Sequence, residues 1–187
     1  MQKRIFDIVL VLLVILPAAG LMLLTAILVK LTSKGPALHW SKRAGVMQKP
    51  FIMPKFRTMF IGTPEVATDR LENPQQYLTP IGSFLRKTSL DELPQLISIL
   101  LGHMSFVGPR PALLSQSELL QRRHEIGIDK LLPGLTGLAQ IKGRDHMSTD
   151  EKIMHEKQYL ILHNLTMDLR IIAITLTKLF RSNEVVF

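Results

Sequence analysis

Residues Ile8 to Val29, IVLVLLVILPAAGLMLLTAILV, run for 22 positions without an ionisable side chain, and Pro17 stands near their middle. As a straight helix this stretch would be about 33 Å long, enough for a hydrocarbon core of about 30 Å. Pro17, however, cannot donate to the helix ladder, and its ring crowds the carbonyl of Leu13. The following Ala18-Ala19-Gly20 adds small side chains and one residue of poor helical preference. The segment predicts a membrane helix that breaks at Pro17.

The flanking charge bears on how such a helix sits. Lys3 and Arg4 precede it, while Lys30, Lys34, Lys42 and Arg43 follow it. A single crossing normally collects Lys and Arg on its cytoplasmic side. Basic flanks at both ends favour a re-entrant helix that enters the membrane, breaks at Pro17 and returns to the same face. Each arm would then reach only about 14 to 18 Å. A bitopic anchor is the alternative, because neighbours can compensate a proline inside a spanning helix. A cleaved signal peptide is not expected, since the run is long for an h-region and ends without a convincing small-residue cleavage site.

Outside this segment about 150 residues remain, the size of one compact domain. Lys and Arg number 23 against 15 Asp and Glu, a net charge of +8. That surplus implies an anionic partner: nucleic acid, anionic lipid or a phosphorylated small molecule. The basic residues are scattered (Lys42, Arg43, Lys55, Arg57, Arg86, Arg110, Arg144) rather than gathered on one helix face. With zero cysteines and no RNP-like aromatic motif, nucleic acid is the weakest of the three. The lack of cysteine also excludes disulfides and thiolate chemistry.

Gly35-Pro36 reads as a turn out of the apolar segment. From Leu38 to Met59 two short extended stretches flank Gly45, the second from Phe51 to Thr58; Pro50 and Pro54 limit them to an edge hairpin. Residues 61–78 read as a surface excursion. Thr79-Pro80 predicts a helix start with Thr79 as N-cap. A second helix carries Leu93, Leu96, Ile97, Leu100 and Leu101 and ends at Gly102. Residues 113–126 predict a third, and a Gly/Pro-rich loop follows from Leu132 to Arg144. Ser148 and Glu151 suit a capping box for a helix to about His163. A last helix, Leu165 to Arg181, bears Leu169, Ile172, Leu176 and Leu179 on one stripe, widened by Ile171 and Ile174, which could face protein or membrane.

Three segments could carry chemistry. Thr88-Ser89-Leu90-Asp91-Glu92-Leu93-Pro94 places adjacent carboxylates at a helix start. Asp91 is a good N-cap there, and Ser89 with Glu92 could form a capping box. A nucleophile beside a metal ligand also fits that spacing. Gly108-Pro109-Arg110-Pro111 holds one arginine between two backbone-fixing prolines, and the guanidinium fork matches phosphate oxygens. A rigid turn with a solvated arginine is the alternative. Lys55 and Arg57 would share a face of an extended strand, again suited to phosphate. Pro133-Gly134-Leu135-Thr136-Gly137 could be a ligand cradle or a loop. The six histidines (His39, His103, His124, His146, His155, His163) show no metal-ligand spacing and read as structural or surface residues.

Taken together, these blocks resemble the bacterial sugar transferase family, the monotopic phosphoglycosyl transferases. The resemblance rests on Lys3-Arg4 with Asp7, Lys55-Phe56-Arg57-Thr58-Met59, residues 85–96 around Asp91-Glu92, residues 102–111 through Pro109-Arg110-Pro111, and Pro133-Gly134-Leu135-Thr136-Gly137-Leu138-Ala139-Gln140. One departure is Leu16, where members often carry a serine before the helix-breaking proline. The resemblance implies that Asp91 is the nucleophile, with Glu92 beside it at a Mg²⁺ site that both carboxylates line. It implies transfer of a phosphosugar from a UDP-sugar to polyprenol phosphate with release of UMP, phosphate charge being met by Arg110, Lys55, Arg57 and Arg86. The expected architecture is a predominantly α-helical α+β chain: residues 1–34 as a re-entrant membrane helix and flanks, residues 35–187 as an interface-associated catalytic domain with a short hairpin. Its place would be the cytoplasmic face of a bacterial inner membrane, among membrane lipid and without nucleic acid, as monomer or homo-oligomer. The rival readings are a non-catalytic membrane scaffold and an anionic-lipid-binding module.

Overall fold

The apolar run forms the middle of helix α1, Gln2–Thr32, which continues through Pro17 as one helix. The structure is a computed structural model and describes residues 2–64, 66, 71–143 and 147–180. Arg144, His146 and Arg181 lie outside the described residues. The expected break at Pro17 therefore does not interrupt the helix. Proline removes one ladder bond and crowds one carbonyl, which bends a helix more readily than it ends one when both flanks are packed.

Packing on α1 follows one stripe. Asp7, Val11, Ala18, Thr25 and Val29 are buried, whereas Leu12, Leu13, Leu16, Leu23, Leu24 and Leu31 are exposed. Both ends of the helix are tied to the rest of the chain. At the start, Lys3 Nζ donates to Asp168 Oδ2 at 2.5 Å, and Arg4 donates to the carbonyls of Ile99 (2.5 Å) and Leu100 (2.8 Å). The buried Asp7 accepts from Ser105 Oγ at 3.0 Å and from the Phe106 amide at 3.1 Å. At the far end, Val29 packs with Phe56 and Leu85.

The expected hairpin is present. Strands β1, Leu38–Ala44, and β2, Pro50–Phe56, pair antiparallel with His39 opposite Lys55 and Trp40 opposite Pro54. A two-stranded sheet leaves one edge of each strand unpaired, and prolines four apart share an edge, so Pro50 and Pro54 are tolerated together. Phe51 and Met53 turn into the main core with Leu96, Ile99, Met104, Phe106 and Tyr159.

Helix α2 is Gly82–Thr88, and Thr79 does not cap it. The Thr79 hydroxyl instead donates to the Thr58 carbonyl at 3.3 Å, and the Thr79 amide donates to that same oxygen. Helix α3, Gln95–Leu101, ends at Gly102 with φ 86°, as its sequence predicts. The short strand β3, Ser105–Val107, pairs in parallel with β4, Gly134–Thr136, a sheet the sequence reading did not include. Between them lies α4, Ser117–Ile126, which starts later than expected. The Gly/Pro-rich stretch contains one more turn of helix, α5, Leu138–Lys142.

Helix α6, Thr149–Leu162, opens with the predicted Ser148–Glu151 capping box and stops at His163. The buried pair of Arg123 and Glu156, at 2.8 and 2.5 Å, ties α6 to α4. Helix α7, Leu165–Phe180, splits its apolar residues between two faces. Ile171 is buried against the core, while Leu165, Leu169 and Leu176 remain exposed. Of the stripe read from the sequence, Leu169 and Leu176 face outward, while Ile172 packs against the core together with Ile171 and Ile174.

Candidate functional site

Asp91 and Glu92 sit in a single 3₁₀ turn, Leu90–Glu92, between α2 and α3. Ser89 ends α2 in the left-handed region (φ 56°) and directs the chain into that turn. Pro94 then precedes α3 with helical backbone angles, and no side chain caps either the turn or α3. Asp91 is therefore no N-cap, and Ser89 with Glu92 forms no capping box. Asp91 is buried, with 8% of its surface exposed, yet local backbone structure makes no use of its carboxylate.

The hairpin brings Lys55 to this carboxylate. Burial and the Arg43 guanidinium push the Lys55 ammonium down to about 8, with Asp91 acting in the opposite sense. Burial and the neighbouring Glu92 push the Asp91 carboxyl up to about 7, against the pull of Lys55, Arg86 and Arg110. Three cations, Lys55, Arg86 and Arg110, thus act on Asp91 beside Glu92, an excess of positive charge suited to a diphosphate.

Each cation has its own support. Arg86, in the last turn of α2, donates from Nε to Thr58 Oγ1 at 3.0 Å. Arg110 reaches Glu92 Oε1 at 3.3 Å with half of its side chain still exposed. Its backbone is gripped from two sides. On one, the Gly108 amide donates to Thr136 O (2.9 Å) and the Gly134 amide to Pro109 O (2.8 Å). On the other, the Ala44 amide donates to Ala112 O (3.0 Å) and Arg43 Nη1 to Pro111 O (3.2 Å). The glycines permit the first grip, since a Cβ on Gly134 would lie 2.1 Å from the Gly108 nitrogen. Pro133 to Gly137 is thus the clamp on the Arg110 loop.

Arg57 goes elsewhere. It is buried, donating from Nε to Pro36 O at 2.7 Å and from Nη2 to Ser33 O at 3.0 Å, where it closes the turn after α1. β2 ends at Phe56, so the alternation that would have put residues 55 and 57 on one face stops between them. The sequence reading gave no role to two residues that matter here, Arg43 and Thr58. The signal for Arg43 was available: in the observed register His39, Arg43, Phe51 and Lys55 share one face of the hairpin.

No group of three or more His, Asp or Glu side chains converges on a metal-sized site among the described residues. Asp91 and Glu92 alone still fit a magnesium ion. Mg²⁺ commonly takes one or two carboxylates and fills its remaining positions with water and substrate phosphate. A buried carboxylate beside another of like charge is also relieved by a divalent cation.

Comparison with known proteins places the chain among sugar transferases. The family model described as bacterial sugar transferase matches residues 1–182. A UDP-glucose:undecaprenyl-phosphate glucose-1-phosphate transferase of Klebsiella pneumoniae is 38% identical over 95% of the chain and 40% of its own length. An undecaprenyl-phosphate galactose phosphotransferase of Salmonella typhimurium is 35% identical over 91% of the chain and 38% of its length. The chain thus spans well under half of those two relatives. The uncharacterized sugar transferase EpsL of Bacillus subtilis is matched more fully, at 35% identity over 98% of the chain and 89% of the relative. With the family match running through α1, the Asp91 turn, the Arg110 loop and α7, the chain belongs to the bacterial sugar transferase family.

Proposed function

We propose that this chain transfers a sugar phosphate from a UDP-sugar to polyprenol phosphate and releases UMP, with Asp91 as a covalent nucleophile. The observation that carries this reading is the buried Asp91, which caps nothing and faces the charge of Lys55, Arg86 and Arg110. An Asp91 oxygen attacks the phosphorus that bears the sugar, and the bond from that phosphorus to the UMP oxygen breaks. The enzyme then carries the sugar phosphate as an acyl phosphate. A phosphate oxygen of polyprenol phosphate attacks the same phosphorus, the bond to Asp91 breaks, and the carboxylate is restored. Arg110, presented through a clamped loop, and Lys55 and Arg86 neutralise the diphosphate and the departing UMP. Arg57 supports the fold. Asp91 and Glu92 would hold Mg²⁺, which supplies further neutralisation of phosphate charge when bound.

The acceptor is a lipid, and α1 supports a monotopic, re-entrant placement at the cytoplasmic face of the inner membrane. A helix of 31 residues is about 46 Å long, yet both of its ends are held by the same domain. A helix that crossed a bilayer would carry its two ends to opposite sides. Single cysteines at Gln2 and Ser33 should both resist an impermeant periplasmic thiol reagent in intact cells; labelling of one alone would establish a crossing.

The chemistry is tested without acceptor. With UDP-sugar alone the parent protein should release about one UMP per site and become covalently labelled, as a two-step transfer requires. Asp91→Asn should do neither. An adduct formed by Asp91→Asn at the parent's rate would place the nucleophile elsewhere.

A further inference from the structure

A cavity of about 190 Å³ lies between the start of α1, the turn at residues 128–132 and the end of α6, and none of its lining residues belongs to the Asp91 site. Val107, Leu131, Leu132 and the Tyr159 ring make apolar walls, and Lys3, Lys130 and His163 supply the polar rim. The Asp168 carboxylate nearby is matched by Lys3 at 2.5 Å and by the Tyr159 hydroxyl at 2.6 Å. Lys130 is exposed and has no ion pair among the described residues. His163 is fixed by the Leu160 carbonyl at Nδ1 (2.9 Å) and by a tilted contact with the Tyr159 ring (5.6 Å), which leaves its other ring nitrogen for a ligand.

We propose that this cavity binds the headgroup of an anionic membrane phospholipid. Its volume accommodates a phosphate and part of a glycerol backbone, and the Lys130 ammonium complements the phosphate charge. Its surroundings single out a lipid among phosphate-bearing molecules. Ile161, Leu162 and Leu165 beside His163 are exposed, as is Ile5 beside Lys3. Acyl chains leaving the cavity therefore have an apolar surface to follow, while the rim cations stay at headgroup depth. The site goes beyond the transfer reaction and depends only on the membrane placement of the chain.

The test uses the full chain in nanodiscs of phosphatidylglycerol and phosphatidylcholine in equal parts, released for native mass spectrometry. One phosphatidylglycerol should be retained in preference to phosphatidylcholine. Lys130→Glu with His163→Leu should cut that preference about tenfold. The same variant should keep its melting temperature in neutral detergent and its labelling at Asp91, since neither residue serves that site. Lys130→Gln alone, which removes one charge with little change of shape, should give a smaller loss in the same direction. Equal retention of the two lipids, or unchanged retention in both variants, overturns the proposal. Displacement of the lipid by millimolar inorganic phosphate would also overturn it, showing a site for free phosphate. Asp91→Asn should leave lipid retention intact, so failure of the transfer reading and failure of this one are separable.

Discussion

Two turns of this chain carry nearly the same four residues. Ser148-Thr149-Asp150-Glu151 begins α6, and Ser89-Leu90-Asp91-Glu92 precedes α3. Each has Ser, then Asp and Glu at the third and fourth positions, the signature of a capping box. In the first, Ser148 Oγ accepts from the Glu151 amide at 3.2 Å and Glu151 accepts from the Ser148 amide at 2.8 Å. In the second, Ser89 is left-handed, no side chain caps, and Asp91 is buried. Ser148 can cap because its backbone is extended (φ −60°, ψ 162°), as an N-cap requires. Ser89 must terminate α2 first, and that duty takes it out of the N-cap conformation. A capping motif released from capping leaves its carboxylates available for chemistry.

The sharpest way to break this comparison is to make the same change in both turns. Asp91→Asn should lower turnover by on the order of 10³-fold or more, because an amide is a very poor nucleophile. Asp150→Asn should leave turnover unchanged, since Asp150 is exposed and its partner is Arg122 at 2.5 Å. Steady-state UMP release from both purified variants checks this. Equal losses in the two would mean that each aspartate serves the fold.

The arginines beside each turn give the next contrast. Arg110→Lys keeps the charge but loses the planar fork, and should lower turnover by about 10- to 100-fold with little change in melting temperature. Arg122→Lys should change neither. A drop in melting temperature for Arg110→Lys, matched to its loss of activity, would make Arg110 a structural residue of the clamped loop.

Much of this contrast was hidden in the sequence, while other features were open to reading. The apolar run of α1, the hairpin around Gly45, the Gly102 stop and the Ser148 cap are local signals of period, turn residues and caps, and each appears in the structure. The β3–β4 pair was not legible because three residues show no period, and the pairing joins segments far apart in the chain. Arg57 looked like a partner of Lys55 only while the strand was assumed to continue past Phe56. Lys55, Arg86 and Arg110 could be named as candidate phosphate ligands, but their meeting around Asp91 depends on how hairpin, helix and loop pack. The same holds for whether Asp91 caps a helix. Thr79 shows the opposite error, a good capping residue recruited by a distant carbonyl.

The smallest expected effect isolates the two serines. Ser148→Ala removes a working cap and should cost about 1 kcal/mol of stability without changing the rate of UMP release. Glu151, the other half of that box, has its carboxyl held below the usual carboxylate range by the Ser148 amide and then the Ser148 hydroxyl. A lowered folded-state value means that this contribution is present above the unfolded carboxylate value. It fades as pH falls through the folded one. The stability gap between parent and Ser148→Ala should therefore narrow in acid. Ser89→Gly makes no comparable sacrifice, because Ser89 caps nothing and glycine adopts the left-handed region at no steric cost. Denaturant midpoints of the two variants should move apart, with Ser148→Ala falling and Ser89→Gly holding or rising. If both fell alike at neutral pH, Ser89 would be acting as a cap in solution. The two turns would then be equivalent, and the case for a released Asp91 would lose its structural basis.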